Sequence, residues 1–194
     1  MNSFMPEWLQ PALLEAWPTQ LIQTTDLHYA LSLRQGWVLQ PVQLPSVVDR
    51  EHVFRGQFLS EWLTINFMDE ANAQSDLREW VEAFLRLTGF PSWPIAQACP
   101  SPPFLLEWHD EGSCPPLAQR LSVDETYLYQ GLAALPNHPS ELARLYILLA
   151  RRGTHAWKIT LSLLSACPPG TPAEIIQSND HVRAGATFGT LELQ

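Results

Sequence analysis

The sequence predicts an α+β fold in which helices pack on one face of an antiparallel twisted β-sheet. Three observations predict it. His155 to Leu164 alternates apolar and polar residues at a period of two, as a strand solvated on one face must. Leu77, Trp80, Val81, Phe84 and Leu85 recur at the i, i+3, i+4, i+7, i+8 spacing of an amphipathic helix. Both patterns fall within 194 residues, 46% of them hydrophobic, which fits a single domain, 1–194, around one core.

Taken in order, residues 1–25 read as an N-terminal arm. Trp8, Leu9, Leu13, Leu14 and Trp17 have roughly helical spacing, but Pro11 confines any helix mainly to the residues after it. Leu27, Tyr29, Leu31 and Leu33 then share one face of a strand. A break at Gln35-Gly36 before the apolar run from Trp37 predicts a hairpin at that point. His52 to Phe58 and Glu61 to Phe67 make a second strand pair, with Leu63, Ile65 and Phe67 toward the core. The helix from Ser75, its capping residue, runs to Thr88 and stops at Gly89.

Residues 90–116 are so rich in proline that regular structure is not expected over most of their length, and they read as a long surface excursion. Tyr127 to Leu135, Leu142 to Ala150 and His155 to Leu164 form a meander, the last two joined by a turn at Arg152-Gly153-Thr154. Thr171, Pro172 and Glu174 make a capping box that opens a helix ending at Gly185. Ala186 to Leu193 then closes the sheet.

Charge and composition exclude several functions. Eleven Lys and Arg against twenty Asp and Glu leave a net charge of -9, which repels phosphate backbones. The nearest approach to a basic patch is Arg151-Arg152, so no nucleic-acid partner is expected. Prolines and glutamates interrupt the first thirty residues, and no apolar run reaches the roughly twenty residues that span a bilayer. Neither secretion by a signal peptide nor membrane insertion is expected. Three cysteines, Cys99, Cys114 and Cys167, lie far apart and are odd in number, which fits a reducing cytoplasm.

The residues that could carry chemistry form no recognised motif. No two of the six histidines stand at zinc-ligand spacing with each other or a cysteine, so no metal is expected. Each cysteine precedes a proline, a pairing associated with thiolate ligation of haem, but seventeen prolines explain it by coincidence and no cofactor is expected. His109-Asp110-Glu111 is the densest polar cluster. It reads as a solvated turn between Trp108 and Gly112, and as an acid–base site only if a pocket gathers it. Eight tryptophans are many for this length. Trp80 and Trp157 belong to apolar faces. Trp8, Trp17, Trp93 and Trp108 fall in the arm and the proline-rich stretch, where they either dock a protein partner or pin those segments to their own domain.

The order of elements over residues 25–193, with the Arg34-Gln35-Gly36-Trp37 corner and Cys167-Pro168-Pro169-Gly170 before the last helix, resembles the PsbP/DcrB-like superfamily. The resemblance implies a PsbP-like sheet, with the arm and residues 90–116 as additions. Members are mostly non-enzymatic: photosystem accessory subunits, bacterial lipoproteins, a Ran-binding import factor and chaperones of type VI secretion effectors. Without a signal peptide the last kind is the nearest. The resemblance thus implies no enzyme but a bacterial, cytoplasmic chaperone or adaptor with a protein client, its oligomeric state open and a homodimer included. The rival expectations are a small-molecule or lipid binder using a cleft between sheet and helices, and an enzyme acting through His109, Asp110 and Glu111.

Overall fold

Alternation in the C-terminal third builds the centre of the molecule. The computed structural model describes residues 5–9, 19–40, 50–56, 61–68, 77, 104–135, 138–165 and 171–194. Strands β1 (Thr19–Thr24) and β2 (Tyr29–Arg34) are followed by β3 (Val38–Gln40), β4 (Arg50–Arg55), β5 (Glu61–Met68) and β6 (Phe104–Ser113). Helix α1 (Pro115–Leu121) leads to β7 (Glu125–Leu135), β8 (His138–Arg152) and β9 (His155–Ser165), and α2 (Ala173–Phe188) precedes β10 (Glu192–Leu193). A single 3-10 turn, Glu7–Leu9, lies ahead of them all among the described residues.

Every described strand pairs antiparallel, in a seven-stranded sheet of order β3-β4-β5-β9-β8-β7-β6 and a three-stranded sheet of order β1-β2-β10. Leu63 opposes Leu161, Ile65 opposes Ile159 and Phe67 opposes Trp157, so one face of the large sheet is a continuous apolar surface. All six of these side chains are buried in one core with Tyr29, Leu31 and Leu33 of the small sheet, Leu117 and Leu121 of α1, and Ala184 and Phe188 of α2. The opposite face is not simply solvated. Tyr129, Ile147 and Leu149 are buried there with Leu77, the one described residue of the predicted Ser75–Thr88 helix.

The meander agrees with the sequence expectation to within a few residues, and Leu27, Tyr29, Leu31 and Leu33 are buried as their period requires. Other expectations need correction. The Gly36-Trp37 corner is not a hairpin. The hairpin lies earlier, between β1 and β2, because Thr19 to Thr24 of the supposed arm is a strand. At Gly36, with φ 98°, the chain leaves the small sheet, and β3 joins the large one beside β4. Alternation predicts a strand but not its neighbour, so it could not identify the partner.

Residues 104–116 are also regular, contrary to expectation. Among the described strands β6 is an edge strand, with register shifts between Leu105 and Glu107 and between Asp110 and Gly112. Pro115 and Pro116 fall in the first turn of α1, where a missing N–H costs nothing. Proline density misleads because the prolines flank β6 without entering it, and a helix start tolerates them. The start of α2 is also shifted: its N-cap position falls on Pro172 rather than Thr171, and the helix continues through Gly185 to Phe188. That leaves only Glu192–Leu193 to add to the small sheet. Residues 90–103 and Cys167-Pro168-Pro169-Gly170 lie outside the described residues.

Candidate functional site

The tryptophans singled out by sequence meet different fates. Trp17 and Trp93 lie outside the described residues, and Trp108 stands on β6 opposite Gly131. Trp8 and Leu9 are fully buried. The Trp8 ring packs against Tyr146 at 5.0 Å and Phe188 at 5.4 Å, and its indole N–H donates to both carboxylate oxygens of Glu111, at 3.1 and 3.0 Å. In this arrangement Trp8 pins its own segment, the second of the two roles open to it.

That bond also separates the His109-Asp110-Glu111 cluster, which is not a turn but part of β6. Glu111 points inward to Trp8 and to the Gln130 amide. Asp110 is exposed and accepts from the Gly112 N–H at 2.9 Å across the bulge, and His109 is exposed as well. Strand alternation sends Asp110 to the face opposite its two neighbours, so the three do not converge. Burial pushes the Glu111 carboxyl above its ordinary range, against the lowering effect of the hydrogen bonds from Trp8 and Gln130. A carboxyl that binds its proton more tightly when folded weakens the fold as pH rises through its folded pKa. Glu111→Gln is therefore expected to unfold at higher urea than the unaltered chain at pH 7, the difference closing as pH falls below 4.5. Parallel urea titrations at both pH values check this; a loss of stability at pH 7 would contradict it.

The densest charged constellation joins both sheets and α2. Glu61, at the start of β5, is 2% exposed and accepts from Arg34 of β2 at 2.6 Å and from Arg183 Nε of α2 at 2.9 Å. Arg183 also reaches Asp180, one turn back, at 3.3 Å, and Arg144 of β8 approaches the other Asp180 oxygen at 3.4 Å. Asp180 is itself 2% exposed. Three guanidinium groups thus surround two buried carboxylates, satisfying charges that could not stand alone in a low-dielectric interior. Gly56 makes room for this cluster: a Cβ there would fall 2.4 Å from Glu61 Oε2.

Thr19, Arg34, Trp37, Glu61, Arg183 and Thr187 line a narrow cleft at this place, between the small sheet, the large sheet and α2. Sequence reasoning missed the cluster, although it left a signal. Glu61 shares the parity of Leu63, Ile65 and Phe67, and Asp180 stands four and eight residues before the buried Ala184 and Phe188. A charge at a core-facing position demands an opposite partner, which only the fold supplies.

At the far end of the hairpin, the Tyr29 hydroxyl hydrogen-bonds His52 Nδ1 at 2.9 Å, and His52 Nε2 lies 3.2 Å from Asp26. Burial pushes the Tyr29 hydroxyl well above its usual range, so it stays protonated, and its hydrogen bond with His52 ties β2 to β4. The Arg151-Arg152 pair is engaged within the fold: Arg151 bridges to Glu125, and Arg152 donates to the carbonyls of Leu121, Ser122 and Leu193. Burial raises the Cys114 thiol pKa, which leaves it a poor nucleophile. Among the described residues, no three His, Cys, Asp or Glu side chains are grouped to hold a metal ion. No helix among them is long and apolar enough to cross a membrane.

No family model matches the sequence, and no curated protein does. The solution structure of cyanobacterial PsbP (CyanoP) from Synechocystis sp. PCC 6803 is 11% identical and superposes with a TM-score of 0.55, covering 91% of this chain and 92% of that one. A crystal structure from Bacteroides thetaiotaomicron VPI-5482 is 9% identical, covering 86% of this chain and 45% of that one, with a TM-score of 0.42. A protein of unknown function from Pseudomonas aeruginosa, PA94, is 10% identical, covering 84% of this chain and 89% of that one, with a TM-score of 0.32. The last two superpose too loosely to inform the reading. The first shows that the chain has a PsbP-like α+β fold.

Proposed function

We propose that the chain is a non-catalytic accessory module, a chaperone or adaptor that holds a protein client by adding the client's extended segment to an open sheet edge. The observation that carries this reading is β1. It is an uninterrupted six-residue strand, Thr-Gln-Leu-Ile-Gln-Thr, without charge, and its one neighbour among the described strands is β2. Leu21 at its middle is 69% exposed. Proteins ordinarily blunt such edges with charge or bulges, as β6 is blunted by two register shifts and by Asp110.

An open, neutral edge with an outward leucine suits strand addition, in which main-chain hydrogen bonds supply affinity and alternate side chains supply specificity. Val38 and Leu39, both more than half exposed, extend the apolar surface nearby. The Gln20 side chain bonds the Trp37 carbonyl at 2.8 Å and so holds β1 against the start of β3. The finer form of the proposal takes up the superfamily branch that the sequence resembles: a bacterial, cytoplasmic chaperone whose client is a type VI secretion effector.

Leu21→Lys places a charge on the edge while leaving the core intact. An affinity-tagged chain expressed in its native cell is expected to retain an enriched protein, and the variant to retain at least about tenfold less of it, about 1.4 kcal/mol of binding. The unfolding midpoint should not change. Equal recovery by both chains, or no enriched protein with either, would overturn the reading.

A further inference from the structure

We propose that the cleft between the small sheet, the large sheet and α2 binds a small carboxylate, its charged end against Arg34 and Arg183 and its apolar body against Trp37 and Leu163. Binding here does not depend on client capture at β1. Glu61 holds both arginines, and in each pair its carboxylate is 2% exposed and the arginine side chain 22%, so it is chiefly the cations that meet solvent. Among the described residues, Arg34, Arg144 and Arg183 stand against Glu61 and Asp180, which leaves the cluster one positive charge in excess. The whole chain carries -9. An excess cation in a cleft with apolar walls attracts an anion more strongly than it would on an open surface, because less water screens it.

Arg183 is already oriented for such a ligand. It directs its Nε and one terminal nitrogen to Glu61 and the other terminal nitrogen to Asp180 at 3.3 Å. Each terminal nitrogen of a guanidinium carries a second N–H, so the fork keeps donors for a ligand while its plane is fixed, and a fixed group loses little freedom on binding. The Thr187 hydroxyl donates to the Arg183 carbonyl at 3.1 Å, which leaves the exposed Thr19 as the hydroxyl at hand for the ligand. The same charges select the anion. One excess positive charge balances a monoanion, whereas a phosphate would bring nearly two negative charges against the Glu61 carboxylate, which sits 2.6 Å from Arg34. Trp37, Leu163 and Ala186 wall the rest of the cleft and suit a short hydrocarbon body rather than a hydrated ion. A short-chain organic acid and the C-terminal carboxylate of a peptide share this chemistry.

Butyrate, the dipeptide N-acetyl-leucyl-valine with a free C-terminus, butyramide and inorganic phosphate test the cleft on the full chain by two-dimensional NMR, with ionic strength held constant by chloride. At least one of the two carboxylates is expected to shift the Arg183 Nε–H and Trp37 indole N–H signals saturably, with half-saturation at about 1 mM. Phosphate should bind at least about tenfold more weakly than that carboxylate. Butyramide, which has the shape of butyrate without the charge, should not bind. Tighter binding of butyrate names a free organic acid as the source and tighter binding of the dipeptide names a peptide terminus; either result upholds the site.

Thr19→Glu supplies an internal competitor. Thr19 is exposed and opposes Arg34 in the β1–β2 ladder, so the new carboxylate falls beside the guanidinium. The variant is expected to bind the carboxylate at least about fivefold more weakly, with an unchanged urea midpoint. Shifts that do not saturate, phosphate binding as tightly as the carboxylates, or a folded Thr19→Glu chain that binds as before would each overturn the proposal. If that variant does not fold, the comparison of acid with amide on the unaltered chain decides: equal binding of butyrate and butyramide would leave the arginines without a part in recognition and overturn it.

Discussion

Replacing Glu61 with leucine is expected to destabilise the chain by about 3–5 kcal/mol, the usual cost of removing one partner from a buried ion pair. Glu61 is the acceptor shared by Arg34 and Arg183, and with it gone two guanidinium groups face one another beneath the small sheet. Arg183 retains Asp180, but at 3.3 Å and shared with Arg144, so it is only partly compensated. Glu61→Gln, which keeps the shape and loses the charge, should fall between. Urea unfolding followed by tryptophan fluorescence gives these numbers, and a loss under about 1 kcal/mol would mean that the cluster is dispensable. Replacing Arg34, Glu61 and Arg183 together by apolar residues should recover most of the loss, because the desolvation of the charges disappears with them.

Trp157→Ala should be at least as damaging, about 3–5 kcal/mol from the cavity alone. The side chain is fully buried on the inner face of β9, 5.3 Å from the Phe67 ring and beneath the Arg152 guanidinium at 5.8 Å. Its indole N–H donates to the Leu27 carbonyl at 2.9 Å, and so binds the large sheet to the turn that begins β2. The variant loses volume and leaves that carbonyl without its donor. Trp157→Phe separates the two effects, since it keeps most of the volume and forfeits the bond, for a loss of about 1–3 kcal/mol. If alanine costs no more than phenylalanine, packing around Trp157 is not what joins the sheets. Because small domains are stable by only about 5–15 kcal/mol, either severe variant could leave a substantial unfolded fraction at 37 °C.

Both residues show what kind of information the sequence carries. Trp157 is legible because Ile159, Leu161 and Leu163 repeat its parity along one strand, and burial comes from that period. Glu61 is not, although it stands on an equally regular strand, because a period says which face a residue takes and nothing about what waits there. Arg34 and Arg183, which hold Glu61, come from positions 27 and 122 residues away. The same limit explains the two largest errors of fold reading. Gly36-Trp37 marks a true break, but whether the chain reverses within a sheet or crosses to another depends on which strand edge is free. The prolines around β6 stop short of the strand itself, and Pro115 and Pro116 stand at a helix start, where the missing backbone donor is not needed.

By itself the sequence determined the α+β class, the meander of β7, β8 and β9, the inward faces of β2 and β5, and an acidic surface; these depend on local period and on charge, which every stretch of chain states for itself. Tertiary structure alone decided that the strands divide between two sheets, that Trp8 and Leu9 sit in the core, that Glu61 and Asp180 are held by three arginines, and that β1 keeps an open edge among the described strands. Each of these is a pairing between segments distant in sequence. Its energy depends on the geometry of closure, and no local pattern records it.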